Sequence, residues 1–439
     1  MNRNPDSGPS APEHRTRGLL AGLVVSALAV AMTACAPAPS STGDTPQHSS
    51  SGPSRTSPVP AAPSGTASAT SSVSPSARAS SSSTGASSSP SATPTAPAKN
   101  GDCLAAAKSL DLDHQVALLY MGAITTTSDS QAAGQLAAQK TGSVILMANP
   151  GSADATRQLT AALRRTDPQV MVAVDQEGGE VQRLSGPGFD QIPEATAQAT
   201  QSVDALTADW ATWGGQLTGA GVDYNLAPVA DLVPAANVSA NEPIGKLGRG
   251  YGATKDQVVA NTSAVIDGLH RAEVADATKH FPGLGNVTVN TDFGVAHDTV
   301  TTVDSDEVQT FAALTGRTDS MMISSVVYDR IDPDHPAMFS PEIVQNLLRG
   351  KLGFSKVIIS DDLGAAAALS SYPVASRGTL FLRAGGDIAL NVDPSTVPQM
   401  IADTVQAAHN DSAFAADLPN KAARVLTMEQ SLGMTSCKA

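Results

Sequence analysis

Along the chain, short apolar runs rich in β-branched residues alternate with longer Ala-rich stretches of helical periodicity. The runs are SVILMA from Ser143, VMVAVD from Val170, VDYNLAP from Val222, VADATKHF from Val274, MMISSVVY from Met321, KVIISDD from Lys356 and GDIALN from Gly386. The helical stretches include Ser202 to Ala220, Lys255 to Arg271 and Ser340 to Lys351. Strands alternating with helices indicate a parallel sheet with crossover connections. Seven or eight such units in about 320 residues predict an α/β fold, a single closed (β/α)8 TIM-type barrel, rather than an open doubly wound sheet. No GxGxxG follows the first run and no GxxxxGK[ST] occurs, so nucleotide binding is unsupported.

Charged residues recur where these runs end. Asp175 and Glu177 end one, Asp231 follows another, Lys279 and His280 end a third, and Asp361 and Asp362 end a fourth. Barrel enzymes assemble their sites at the carboxyl ends of strands, so the repeat of apolar strand followed by charge reads as chemistry. Any one such Asp taken alone fits the cap of the next helix equally well.

The first hundred residues are a different material. Of the 439 residues, all fifteen aromatic ones lie at or beyond Tyr120. Arg15 and Arg17 precede the 17-residue uncharged run GLLAGLVVSALAVAMTA, which stops before Cys35. A basic flank, a short apolar region and small residues before a cleavage point make a secretory signal, and the run is short for the ~20 residues of a membrane span. Met32-Thr33-Ala34-Cys35 resembles the bacterial lipobox, with Met in place of the usual Leu, and that resemblance implies lipidation of Cys35 and attachment to the membrane. From Ala36 to Asn100, 56 of 65 residues are Ser, Thr, Pro, Ala or Gly, a composition that cannot offset the entropy of ordering. The expected organisation is therefore a lipoprotein signal peptide over 1–34, a disordered Ser/Pro/Ala-rich tether over 35–100 and one catalytic domain over 101–439.

Charge sharpens this division. The first hundred residues carry six basic and three acidic groups and the remainder 21 and 38, so the overall −14 hides a folded part at −17. Such a domain is poorly suited to nucleic acid, which needs clustered basic residues. Cys103 and Cys437 bracket it, and in an exported setting they read either as a disulfide tying its ends or as two free buried thiols.

Three segments together resemble glycoside hydrolase family 3, in particular its barrel-only bacterial β-N-acetylglucosaminidases. They are VDQEGGEVQRL from Val174, KHFPGLG from Lys279 and GFSKVIISDDL from Gly353, supported by NLAPVADL from Asn225, GRGYG from Gly248 and RAGGD from Arg383, in family order. The resemblance implies a retaining β-glycosidase acting on a carbohydrate substrate such as a cell-wall glycan, with Asp361 as nucleophile and Asp175, Arg249, Lys279 and His280 binding the sugar. Two carboxylates suffice for that chemistry, so no metal and no organic cofactor is expected, nor any partner beyond substrate and membrane. A monomer at the outer face of the cytoplasmic membrane is the expected state.

The acid/base departs from the family pattern. These hexosaminidases carry an Asp-x-His pair after K-H-F-P-G-H-G, whereas this loop reads LGNVTVNTDFG: Leu284 replaces the His of G-H-G, Asn290 the dyad Asp, and Asp292 stands where the His would be. A carboxylic acid performs the same proton transfer when its surroundings raise its pKa, which makes Asp292 the candidate acid/base, with Asn290 as an uncharged partner. The bland alternative is a solvated loop residue. His297 is a weaker substitute for the lost imidazole, and Ser325 stands where the family often has His. Because the dyad marks the hexosaminidase branch, a β-glucosidase and an inactive glycan-binding surface lipoprotein stay open beside the β-N-acetylhexosaminidase reading.

Overall fold

The computed structural model describes residues 100–437. The segments expected to be a signal peptide and, but for its last residue, a tether lie outside the described residues, as does Cys35.

Eight parallel strands form the core: β1 (Tyr120–Ile124), β2 (Ser143–Leu146), β3 (Met171–Val174), β4 (Tyr224–Asn225), β5 (Ala275–Phe281), β6 (Ser320–Ile323), β7 (Val357–Ser360) and β8 (Ala389–Asn391). They are ordered β7-β6-β5-β4-β3-β2-β1-β8. The ring shuts where Ile359 of β7 bridges Ile388, just before β8, and the Asp387 and Ile388 N–H groups donate to the Ile358 carbonyl at 2.8 and 3.0 Å. This is the (β/α)8 barrel that the alternation predicts. Seven strands coincide with the apolar runs; the eighth, YMGAI at Tyr120–Ile124, belongs to no run singled out there. Every strand residue of the barrel is buried, because one face packs into the barrel and the other under the helices.

Helix ends follow local chemistry. Val203–Gly219 starts where the Ser202 hydroxyl accepts from Ala205 N–H, and Lys255–Arg271 where Thr254 accepts from Gln257 N–H. These two helices pack closely because glycines meet them: a Cβ on Gly268 would lie 2.5 Å from that of Trp210, and one on Gly214 2.7 Å from that of Ala272. The expected helix from Ser340 begins at Glu342 and is a π-helix to Lys351, preceded by a short 3-10 turn at Ala337–Phe339.

The terminal helices Asn100–Ser109 and Ser412–Ser431 pack on each other, and a disulfide joins Cys103 to Cys437 across 334 residues. No helix among the described residues is long and apolar enough to cross a membrane.

At the last turn of Lys255–Arg271, His270 Nε2 sits 3.0 Å from Asp276 Oδ1 at the start of β5 and 2.9 Å from Asp319 Oδ2 beside β6. Partial burial lowers its pKa, but hydrogen bonds to Asp276 and Asp319 outweigh that and push the imidazolium up to about 10 from 6.5. A raised folded pKa means that the stabilisation is complete below the unfolded value and is lost as pH rises through the folded one. Denaturation midpoints are therefore expected to decline between about pH 6.5 and 10 with a component that His270→Gln removes. An identical slope in the variant counts against this clamp.

Candidate active site

The carboxyl ends of the strands surround a cleft of about 360 Å³ whose wall includes Asp175, Arg249, Lys279, His280, Asp292 and Asp361. All six residues put forward from sequence for catalysis and sugar binding thus meet in one place.

Its floor is an ionic lattice. Lys279 Nζ lies 2.5 Å from Asp175 Oδ1 and 2.6 Å from Glu177 Oε1. Arg249 donates through Nε and Nη2 to both Glu177 oxygens at 2.8 Å and through Nη1 to the Pro243 carbonyl at 2.7 Å. Two cations and two carboxylates balance, which offsets the cost of taking charge out of water. Burial pushes the Glu177 carboxyl up, yet the Arg249 and Lys279 charges overrule it and hold the group well below the carboxylate range. Burial likewise disfavours the Lys279 ammonium, but Asp175 and Glu177 lift its pKa above the usual value. The two carboxylates differ in access: Asp175 is 21% exposed and Glu177 6%. Asp175 is thus the one open to a ligand, while Glu177 holds the cations. Gly178 (φ 102°) and Gly179 (φ 60°) turn the chain here in the left-handed region, and a Cβ on Gly178 would lie 2.4 Å from the Pro193 carbonyl oxygen. Sequence reasoning noted Glu177 as a strand-end charge without giving it a role; its D-x-E spacing beside the glycine pair was the available signal.

A second cluster orients His280. Asp231, fully buried, lies 2.7 Å from His280 Nδ1 and accepts from the backbone N–H of His280 at 3.2 Å and of Leu284 at 2.8 Å. An ionised carboxylate only accepts, so Nδ1 carries the proton and Nε2 is the free edge. Asp231 too was visible in sequence only as a charge after a strand. The residue that replaces the family's His, Leu284, lines the cleft and is buried.

Asp361 follows β7, where its N–H donates to the Ile323 carbonyl at 3.0 Å and its Oδ1 accepts from the Asp362 N–H at 2.8 Å. Burial first, and then the negative charge of Asp292, push its carboxyl above the usual value, against the pull of His280. Asp362 is a capping group: it accepts from the N–H groups of Gly364, Ala365, Ala366 and Val392 at 2.7–3.1 Å. Across the cleft the Thr291 and Asp292 carbonyls accept from Ala368 and Ala367 N–H at 3.3 and 3.4 Å, tying the Asp292 loop to the segment after the candidate nucleophile. Asn290 contributes differently from the expectation. Its Oδ1 accepts from the Asp292 backbone N–H at 3.0 Å, shaping the turn rather than touching the carboxyl. His297 is outside the cleft wall and 2.8 Å from Asp329 Oδ1. Ser325 is buried with no partner for its hydroxyl among the described residues.

Residues 111–428 match the family model described as "Glycosyl hydrolase family 3 N terminal domain". A beta-hexosaminidase of Xanthomonas oryzae pv. oryzae (strain KACC10331 / KXO85) is 33% identical over 282 residues, 61% of this chain and 79% of the relative. One of Stenotrophomonas maltophilia (strain R551-3) is 34% identical over 271 residues, 59% of this chain and 78% of the relative. Among solved structures, a beta-N-acetylhexosaminidase from Beutenbergia cavernae DSM 12333 superposes with a TM-score of 0.69 at 39% identity, covering 73% of this chain and 99% of that one. A family 3 glycosyl hydrolase from Mycobacterium smegmatis str. MC2 155 does so at 0.64 and 25% identity, covering 72% and 98%.

The lattice makes unequal demands on its carboxylates. Glu177→Gln leaves Arg249 without a carboxylate partner and the buried Lys279 with Asp175 alone, and is expected to cost about 3–5 kcal/mol in denaturant unfolding. Asp175→Asn, at a wetter position with one cation, is expected to cost clearly less. Equal losses contradict the division between an internal anchor and an open carboxylate.

Proposed function

The chain belongs to glycosyl hydrolase family 3, and from that premise we propose that it is a retaining, exo-acting β-N-acetylhexosaminidase working on terminal β-linked sugars of cell-wall glycans. The observation that carries the reading is the pairing, in one cleft, of the Asp361 carboxyl, whose proton affinity burial raises, with the partly exposed Asp175 beside its Lys279 charge. The beta-hexosaminidase names of the relatives support the substrate class.

In this reading Asp175 accepts hydrogen bonds from neighbouring sugar hydroxyls, while Lys279, Arg249 and the Nε2 edge of His280 contact others. This fixes the terminal sugar with its anomeric carbon over Asp361. The Asp361 carboxylate attacks that carbon, the bond to the leaving oxygen breaks with its electron pair, and Asp292 gives the oxygen a proton. Water then loses a proton to the Asp292 carboxylate and attacks the same carbon, breaking the bond to Asp361. Two inversions return the original configuration. Asp292 is exposed in the free protein, so a leaving group entering the cleft can reach it. Neither metal nor organic cofactor enters these steps.

The absent Asp-x-His dyad favours a second reading, the same chemistry on a glucoside. A panel of 4-nitrophenyl β-glycosides separates them: turnover of the N-acetylglucosaminide alone supports the proposal, turnover of the glucoside alone supports the second, and turnover of none supports a glycan-binding lipoprotein. The reading also includes export and a lipid anchor at Cys35, supported by the Met32–Cys35 motif and the apolar run before it. Metabolic labelling with a fatty acid is expected to mark the wild-type chain and not Cys35→Ser.

For Asp292, replacement by Asn is expected to slow hydrolysis of substrates with poor leaving groups by about 10²–10⁴-fold and of activated aryl glycosides far less. Equal loss on both counts against the acid role. The same variant removes a negative charge that raises the Asp361 carboxyl, so the acidic limb of its pH–rate profile is expected to move to lower pH. A limb that stays fixed argues that the two carboxyls are not coupled.

A further inference from the structure

Six large hydrophobic side chains are exposed among the described residues, and four of them, Val289, Phe293, Val295 and Val300, fall between residues 289 and 300. Phe293 is the most open, at 83%. Four such side chains within one short stretch depart from the singly scattered exposure that needs no explanation, and mark a place where something binds. This stretch also runs along the cleft, since Asn290, Thr291 and Asp292 form part of its wall. The Phe293 N–H donates to the Asn290 carbonyl at 3.0 Å, and the carbonyls of the two preceding residues are held by Ala367 and Ala368. The aromatic residue thus sits in a backbone-bonded turn directly after the wall residue Asp292.

We propose that Phe293, flanked by Val289 and Val295, is the platform for the leaving group, a second pyranose presented by its C–H face. The inference rests on Asp292 being the acid. An acid that protonates the glycosidic oxygen sits at that oxygen, and the oxygen's other substituent is the leaving sugar. The leaving sugar therefore passes the stretch that carries Asp292, and in that stretch Phe293, the next residue along the chain, has the most exposed large apolar side chain. The chemistry of the two ends of the cleft is complementary to this division. Asp175, Lys279 and Arg249 offer charge to the hydroxyl-rich edge of the terminal sugar, whereas the rim offers an aromatic ring and two branched apolar side chains. Aromatic faces stack on flat apolar faces with little loss of conformational entropy. The rim is accordingly a specificity element: it favours a sugar leaving group over a small alcohol without taking part in bond making.

The test compares kcat/KM of the purified protein on a β-1,4-linked N-acetylglucosamine disaccharide and on the methyl β-glycoside of the same terminal sugar. In Phe293→Ala the ratio of the two is expected to fall about three- to tenfold, mostly through KM for the disaccharide, and Phe293→Trp is expected to restore it. A ratio unchanged in Phe293→Ala, with wild-type turnover of both substrates intact, overturns the platform alone. Absence of wild-type turnover on either substrate overturns the glycosidase reading and the platform with it. An unchanged ratio accompanied by loss of a dimer in light scattering, or of binding to anionic lipid vesicles, assigns the patch to a second copy or to a membrane and likewise overturns the proposal.

Discussion

The cleft depends on one buried arrangement of charge. Glu177 lies between the Arg249 guanidinium and the Lys279 ammonium, and these come from three parts of the chain that the side-by-side pairing of β3, β4 and β5 brings together. Neither cation tolerates that depth without the carboxylate, and the carboxylate does not tolerate it without them. The lattice therefore links the turn after β3, the loop carrying Arg249 and the end of β5, and it leaves Asp175 as the group with capacity for a ligand. A parallel arrangement holds beside it, where Asp231 fixes both the ring of His280 and the backbone at Leu284. Substrate binding on this view borrows a rigidity that the electrostatics of folding already require.

Opposite this rigid floor stands a softer wall. Asp292 is carried by a loop held through two long backbone hydrogen bonds to Ala367 and Ala368 and through the Asn290 side chain. The family's histidine dyad is replaced here by a single carboxylate, so the candidate proton donor has no neighbouring acid to orient it. Its orientation rests on the turn.

The barrel was legible because its strands are buried on both faces and so stand out as continuous apolar runs, as at Lys356 and Met321. The strand YMGAI was not singled out, since a five-residue segment with Gly122 in its middle carries little β-branched signal. Asp361, Asp175, Lys279 and His280 were identifiable from strand ends and motif resemblance. The roles of Glu177 and Asp231 were not, because each is defined by partners about 50 to 100 residues away in sequence, and pairing of that kind leaves no local pattern. The shift from strand-end charge to lattice anchor is a property of tertiary contact alone. Asn290 illustrates the same limit from the other side, since its type suggested a partner for a side chain and its place in the turn made it a partner for backbone.

The central claim is that Asp361 forms a covalent bond to the sugar. Incubation of the protein with a 5-fluoro-N-acetylglucosaminyl fluoride, followed by peptide mass mapping, tests this most directly. The account predicts one adduct per chain, on the peptide containing Asp361, absent from Asp361→Ala and lost on prolonged incubation as activity returns. An adduct on another carboxylate, or full turnover by Asp361→Ala, would contradict it.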